Sequence, residues 1–292
     1  MPQKRVSRRV IGSTAVATAV GSAVWLLPHG RAFGDTLAGP LPQATAVSPQ
    51  PTATSPQPPP PGRPLRFYPV EDRFEAYYNQ VDGFRVMGRA ISPLAQTVDG
   101  KPAQYFEKVR LEDRTGESTN PNWQLAYGLL VDEMKAARSL APVGGDESTV
   151  TYNTIQDASA ESRRVPAPAG FSGNVQVRSD EWVFIPFTAD LSPAPGHLVP
   201  PYFWEYMNRD ELFPGGWLHD IGLPITPTID ARVDKGIIIG TEETRVTNRP
   251  ITIQAFQRTI LTYDPANPAG YLVERANTGT DFWTIFPGRV PQ

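Results

Sequence analysis

The residues best suited to acid–base chemistry lie in the second half of the chain, where His219 and Asp220 are adjacent. A carboxylate beside a histidine fixes the imidazole tautomer, and Glu205 on a predicted helix would add a second carboxylate. Adjacent strand residues point to opposite faces, so a direct His219–Asp220 contact requires a turn. The chain contains no Gly-x-Ser-x-Gly, P-loop or His-Glu-x-x-His motif. We therefore favour a solvated His–Asp pair in a turn, with His219, Asp220 and Glu205 as a catalytic alternative.

Five tryptophans form a second set of candidate functional residues. An indole face stacks on the apolar face of a pyranose ring while its polar edge stays in water, which makes exposed tryptophan typical of sugar-binding surfaces. Core packing is the alternative for each of them, because aromatic side chains are usually well buried. The candidates for ligand binding are Trp123, Trp182, Trp204, Trp217 and Trp283.

Composition disfavours several other chemistries. The 292 residues include no cysteine and 3 histidines, which excludes disulfides and cysteine nucleophiles and disfavours a histidine-rich metal centre. We expect no cofactor and no metal. Five of the 27 basic residues lie in residues 1–31 without any acid, so the rest carries 22 basic and 30 acidic residues, a net charge of -8. Nucleic-acid binding needs a basic surface, so a nucleic-acid partner is not expected.

Residues 1–38 are interpreted as an export signal. The cations Lys4, Arg5, Arg8 and Arg9 precede an uncharged run over residues 10–27, which is the order found in secretory signals. The paired arginines and the Ala/Thr/Gly-rich run resemble a twin-arginine signal, with a general-secretion signal and an uncleaved membrane anchor as alternatives. Each alternative places the rest of the chain outside the cytoplasmic membrane, with membrane contact only through this segment if it is uncleaved.

Residues 39–64 are predicted to be a disordered linker. They contain ten prolines in 26 residues, interleaved mainly with Ser, Thr, Gln and Ala. Such a composition favours extended polyproline II of about 3 Å per residue and cannot bury a core. The linker would therefore hold the folded part away from a membrane or wall.

The remaining chain predicts an α+β, β-rich fold with two related repeat units, residues 65–140 and 186–292, joined by a β connection over 141–185. Four landmarks recur in the same order, which is the signature of an internal repeat. They are a helical aromatic segment (74–78 and 203–207), a glycine turn (88–93 and 222–227), an alternating segment (104–112 and 254–262), and Asn-Pro followed by Trp123 or Tyr271.

Each unit is expected to contain a short amphipathic helix and a hairpin whose alternating strand packs Phe106 or Phe256 on the aromatic residues of the helix. The alternating segments 104–112 and 254–262 are each predicted to be one strand. In the connection, strands are predicted at 149–152, 173–178 and 181–186.

This order of motifs resembles the LGFP-type repeats of secreted bacterial proteins, and more closely the related repeats in exported proteins of Chloroflexi-type bacteria. The resemblance spans two copies, at about 65–140 and 186–285. It departs from the repeat pattern where Lys108 and Arg258 replace a glycine. The resemblance implies association with the cell envelope or ligand binding rather than catalysis.

These observations predict a secreted, non-catalytic, envelope-associated protein that binds wall polysaccharide or a surface protein partner. The first alternative is an extracellular hydrolase of glycans or peptidoglycan with a site at His219, Asp220 and Glu205. The second alternative is an accessory subunit of a surface or membrane assembly. Exposure of the tryptophans in one groove would favour sugar binding, because stacking needs accessible ring faces.

Overall fold

The computed structural model describes residues 65–144, 148–239 and 242–291. They belong to one compact unit and form a mixed helix and sheet structure with three antiparallel sheets, which confirms the α+β class. The predicted export signal and proline-rich linker lie outside the described residues. Within the described ranges, none of the helices has both the length and the apolar character that crossing a bilayer would require.

In the N-terminal half, residues 65–140, helices lie beside a four-stranded sheet ordered β1-β2-β3-β4. The first helix buries Phe74 and Tyr77, which lie one turn apart on the same face. A 3-10 turn, Pro121–Trp123, precedes the last strand. The elements are α1 (Asp72–Gln80), α2 (Gly83–Val86), β1 (Ala95–Gln96), β2 (Pro102–Tyr105), β3 (Arg110–Asp113), β4 (Leu125–Tyr127) and α3 (Leu130–Lys135).

The connection between the halves contains a helix, α4 (Tyr152–Ala158), where the pattern predicts a strand. The Thr151 hydroxyl accepts a hydrogen bond from the backbone N–H of Thr154, and the Thr154 hydroxyl accepts one from the Thr151 N–H. This reciprocal capping starts a helix, and Ile155 on its inner face is fully buried. The predicted strand at 149–152 is therefore wrong.

A three-stranded sheet, ordered β5-β6-β7, leads into the C-terminal half. The strands predicted at 173–178 and 181–186 are present but shorter. The third strand pairs with the second across the predicted boundary after residue 185, so one sheet spans the connection and the start of the second unit. The strands are β5 (Gln176–Val177), β6 (Val183–Pro186) and β7 (Gly196–Val199).

The C-terminal half, from residue 186 onward, has a second four-stranded sheet, ordered β11-β10-β9-β8. Its first helix begins at Pro201, because the fixed φ of proline suits the first helical position. A 3-10 turn, Ala269–Tyr271, precedes the last strand. The elements are α5 (Pro201–Met207), α6 (Trp217–Asp220), β8 (Ile229–Ile239), β9 (Glu242–Ala255), β10 (Ile260–Tyr263), β11 (Val273–Arg275) and α7 (Thr278–Ile285).

A fully buried glutamine takes the same position in each half. Gln104 Nε2 donates to the carbonyl oxygens of Pro69 and Ser92, at 2.8 and 2.9 Å. Gln254 Nε2 makes the matching pair of bonds in the C-terminal half, both 3.0 Å long. Because buried carbonyl oxygens need hydrogen-bond partners, each amide ties its strand to two neighbouring segments.

The segment after each glutamine is a hairpin turn. Phe106 N donates to Val109 O, and Phe256 N donates to Thr259 O, both at 2.8 Å. The single strand predicted for this segment in each half is therefore wrong, because the alternation of residue types continues through the turn. The Phe106 ring does pack on a helix aromatic, with its centroid 5.7 Å from that of Tyr78.

The last helix of each half docks on that turn in the other half. Thr280 N of α7 donates to Glu107 O at 3.0 Å, and Asp132 N at the start of α3 donates to Gln257 O at 3.4 Å. Each of the two buried cores also contains side chains from both halves. The halves therefore pack reciprocally and complete each other's core.

Candidate functional site

A histidine–aspartate pair lies on the four-residue helix α6. His219 Nδ1 is 2.6 Å from Asp220 Oδ1, and Asp220 Oδ2 accepts a hydrogen bond from Gly215 N at 2.9 Å. Gly216, with φ of 81°, turns the chain into the helix in a conformation that favours glycine. The Asp220 side chain is fully buried, whereas that of His219 keeps 16% of its surface exposed.

Burial of Asp220 differs from the expected solvated pair. The carboxylate is buried because α6 packs against β4 of the other half, a long-range contact that the local sequence does not reveal. A carboxylate at Nδ1 favours the tautomer with the proton on that nitrogen. His219 Nε2 has no hydrogen-bond partner in the described part of the chain, so it is available to bond a ligand hydroxyl.

Polar side chains from both halves lie near the main chain of Asp220. Arg275 Nη2 donates to the backbone oxygen of Asp220 at 3.0 Å, and its guanidinium carbon lies 4.4 Å from the ring centroid of Tyr127. Tyr127 is fully buried, and this burial raises the pKa of its hydroxyl, although the charge of Arg275 opposes the shift. The main chain at Asp220 is therefore held by Arg275, while the partners of its carboxylate are Gly215 N and His219 Nδ1.

Trp123 of the N-terminal half covers the His219 ring. The two ring centroids are 5.6 Å apart and the ring planes differ by 7°. Trp123 Nε1 donates to Gly215 O at 3.1 Å, and the neighbouring Asn122 Nδ2 donates to Pro214 O at 3.0 Å. These contacts join the halves and fix the orientation of the indole over the histidine.

Two further tryptophans meet at the same helix. Trp204 on α5 and Trp217 at the start of α6 contact each other edge to face, with ring centroids 5.6 Å apart. Trp217 lies two residues before His219, so the Trp204–Trp217 pair and the Trp123–His219 stack lie on different sides of one short helix. All of these rings are half-buried. We call Trp123, Trp204, Trp217, His219 and Asp220 the aromatic site.

Three of the residues predicted from sequence lie outside the aromatic site. Trp283 is 3% exposed in α7 and packs in the core, so its prediction as a ligand-stacking residue is wrong. Trp182 lies at the start of β6 and makes no ring contact with the site within the described residues. Glu205 is exposed on α5, and no hydrogen bond or ion pair joins it to His219 in the described ranges. The predicted acid–base cluster is thus reduced to His219 and Asp220.

A second contact between the halves involves Arg85 and Tyr271, neither of which was a predicted site residue. The Arg85 guanidinium carbon lies 4.9 Å from the ring centroid of Tyr271, and Arg85 Nη2 donates to Gly270 O. In the order of the landmarks, Arg85 corresponds to His219 and Tyr271 to Trp123. The landmark order of the sequence pairs these positions, so it was the available signal for this contact.

The described ranges contain no group of three or more His, Asp or Glu side chains that could hold a metal ion. Comparisons with protein-family models, curated proteins and solved structures give no match for this chain. Functional inference therefore depends on the aromatic site and on the sequence pattern.

Proposed function

We propose that this protein is a secreted, non-catalytic protein of the cell envelope that binds wall polysaccharide at the aromatic site. The observation that carries the proposal is that Trp123, Trp204, Trp217 and His219 gather around α6 while remaining partly exposed. Indole faces stack on pyranose rings, and a free histidine nitrogen can bond sugar hydroxyls. Secretion and envelope attachment are supported by the signal-like residues 1–38 and by the resemblance to envelope repeats.

We also propose that residues 65–140 and 186–292 are related repeat units. Support comes from the matching order of landmarks, from the equivalent bonds of Gln104 and Gln254, and from the reciprocal docking of the last helices. A duplicated frame of this kind lets residue types at corresponding positions diverge without a change of fold.

Co-sedimentation with purified envelope sacculi tests the binding proposal. We expect the full chain to sediment with sacculi, and we expect Trp123→Ala or Trp217→Ala to weaken the apparent affinity roughly fivefold to tenfold through the loss of one stacking contact. Trp182→Ala is the matched control, because Trp182 lies outside the aromatic site. Absence of sedimentation, or an equal loss in Trp182→Ala, would contradict the proposal.

The 2.6 Å contact between His219 and Asp220 favours one second candidate, an extracellular glycan hydrolase. A buried carboxylate that orients a histidine is an arrangement used in general base catalysis. The same incubations should therefore be assayed for released reducing ends and muropeptides, and the binding proposal expects none. Turnover that disappears in His219→Ala and Asp220→Asn would replace binding by hydrolysis. A stoichiometric protein partner without glycan affinity would instead indicate an accessory subunit.

A further inference from the structure

A polar cavity lies where the docking turn of the N-terminal half meets the second sheet, apart from the aromatic residues of the proposed glycan site. Its volume is about 220 Å³, below the range of about 300–1,000 Å³ that is typical of drug-sized ligands. Lys108 lines it from the N-terminal half, and the charged or amide side chains that line it from the C-terminal half are Lys235, Asp264, Glu274, Arg275 and Asn277. The cavity exists only when the halves are docked.

Two of the charged groups in the cavity are already neutralised. Asp264 forms ion pairs with Lys235 Nζ at 2.6 Å and with Arg249 Nε at 2.7 Å. Burial opposes ionisation of this carboxyl, but the hydrogen bonds from both cations lower the pKa of Asp264 below its usual value. Lys235 and Asp264 therefore line the cavity as a paired cation and anion that need no ligand charge.

Three further charged groups line the cavity. Arg275 donates to Thr259 Oγ1 and to the backbone oxygen of Asp220 and lies over the Tyr127 ring, whereas Lys108 and Glu274 have fewer partners. Lys108 Nζ donates to one backbone oxygen, that of Arg85, at 2.9 Å, and no ion pair joins it to a carboxylate in the described part of the chain. Burial lowers the pKa of Lys108, and the charge of Glu274 acts against that shift. Glu274 Oε2 accepts one bond, from Asn267 Nδ2 at 3.2 Å, and likewise has no ion pair within the described residues.

We infer that this cavity binds a small zwitterion, a free α-amino acid, with its carboxylate at Lys108 and its ammonium at Glu274. Lys108 and Glu274 carry opposite charges, line one cavity and do not pair with each other, so a ligand that carries both charges would satisfy both groups. A partly buried charge without a partner is costly, and a matching ligand charge removes that cost. The small volume restricts the ligand to about the size of one amino acid.

Ligand-detected NMR on the full chain tests this inference, with alanine, acetate and methylammonium as separate probes at millimolar concentration. We expect alanine to bind more tightly than either singly charged probe. Lys108→Met and Glu274→Gln should each weaken alanine binding about tenfold or more, because each removes one charge-assisted hydrogen bond. Acetate binding should be lost in Lys108→Met and retained in Glu274→Gln.

Lys101→Met is the matched control, because the Lys101 ammonium pairs with Glu117 and does not line the cavity. Glu274→Gln preserves side-chain size and can still accept the bond from Asn267, so it carries the test if Lys108→Met fails to fold. Equal binding of acetate and alanine would overturn the zwitterion assignment in favour of a simple anion site. Absence of alanine binding, or alanine binding unchanged in Glu274→Gln, would also overturn it.

The outcome is separable from that of the glycan proposal. Trp123→Ala should leave alanine binding unchanged, and Glu274→Gln should leave sedimentation with sacculi unchanged. Loss of both properties in either variant would indicate a general folding defect, which thermal unfolding of the same samples detects.

Discussion

At one contact between the halves Trp123 lies on His219, and at the other Tyr271 lies on Arg85. In both, the last residue of a 3-10 turn in one half meets the third residue of a four-residue helix in the other. The matching backbone elements of the two halves therefore determine which positions are in contact. The side chains decide what the contact can do, because the His219 ring is hydrogen-bonded to a carboxylate whereas the Arg85 guanidinium is hydrogen-bonded to a backbone oxygen.

The residue that follows in each helix accounts for much of this difference. Asp220 and Val86 occupy equivalent positions and are both fully buried. The carboxylate of Asp220 accepts a hydrogen bond from the neighbouring main chain and holds His219, whereas Val86 offers only packing. The contact at α2 therefore combines a cation with an apolar residue, whereas the contact at α6 contains a hydrogen-bonded imidazole–carboxylate pair.

The largest loss of stability is expected from a substitution at Gly279. This residue lies in α7, the helix that docks on the 106–109 turn of the N-terminal half. A Cβ there would overlap the carbonyl oxygen of Phe106 and lie 3.1 Å from that of Val109. We expect Gly279→Ala to lower the free energy of unfolding by about 3 kcal/mol or more, as measured by urea denaturation. Gly270→Ala is the control, because a Cβ there meets nothing within 4 Å. Equal stability of the two variants would contradict this account of docking.

Substitution of the two buried glutamines tests whether both halves depend on the same hydrogen bonds. Gln104→Met and Gln254→Met keep an unbranched side chain but remove the amide that bonds two carbonyl oxygens in each half, and Gln104→Met also removes the acceptor of Glu71 N. We expect each change to destabilise the protein by about 2–3 kcal/mol, with similar values in thermal and urea unfolding. A large loss from one variant and none from the other would show that only one half depends on this bond.

A difference between the halves in acid stability is expected at His197. It precedes Leu198, whose carbonyl oxygen bonds Gln254, whereas the non-histidine residue Tyr68 precedes Pro69, whose carbonyl oxygen bonds Gln104. Burial, aided by the charge of Arg164, lowers the pKa of His197 from 6.5 to about 4. As pH falls through this window the unfolded chain takes up the proton before the folded chain does, so stability is lost from pH 6.5 down to about pH 4. The loss should reach about 2–3 kcal/mol.

Urea unfolding at pH 7 and pH 4 measures this loss in the parent chain and in His197→Gln, which cannot titrate. The stability difference between the two pH values should be smaller in His197→Gln by about the same 2–3 kcal/mol. An unchanged pH dependence would mean that His197 is not the titrating group.

The smallest effects are expected at the contacts between the halves themselves. Tyr271→Leu removes a cation–π contact at a half-exposed position and should cost about 0.5–1 kcal/mol. Trp123→Leu removes both a ring stack and the hydrogen bond to Gly215, so it should cost about 1–2 kcal/mol. Differential scanning calorimetry of both variants tests the order, and a greater loss in Tyr271→Leu would reverse the comparison.

The local sequence pattern was enough to locate the aromatic helices and the glycine turns of both halves. The aromatic segments at 74–78 and 203–207 lie in α1 and α5, and α5 begins at Pro201. Gly88 and Gly222 have φ of 76° and 85°, as a glycine turn requires. Helical periodicity and the special φ values of proline and glycine are local properties, so they can be predicted from a single sequence.

The candidate site was only partly predictable. His219, Asp220 and three of the five tryptophans were named from residue type, but residue type could not separate Trp217 at the site from Trp283 in the core. Arg85 and Tyr271 were visible only as equivalents in the repeat order. The turn after Phe106 was missed because alternation of residue types does not report where the hydrogen bonds of a strand end.

The sequence by itself determined the α+β class, the location of the aromatic helices α1 and α5 and the inventory of side chains able to do chemistry. Tertiary structure alone decided that Trp123 covers His219, that Asp220 is buried, and that Lys108 and Glu274 share a cavity. The physical reason is that each of these depends on the reciprocal docking of two halves whose contacting residues are far apart in sequence. Long-range packing determines burial and side-chain pairing at the contacts between the halves, and local periodicity does not predict such packing.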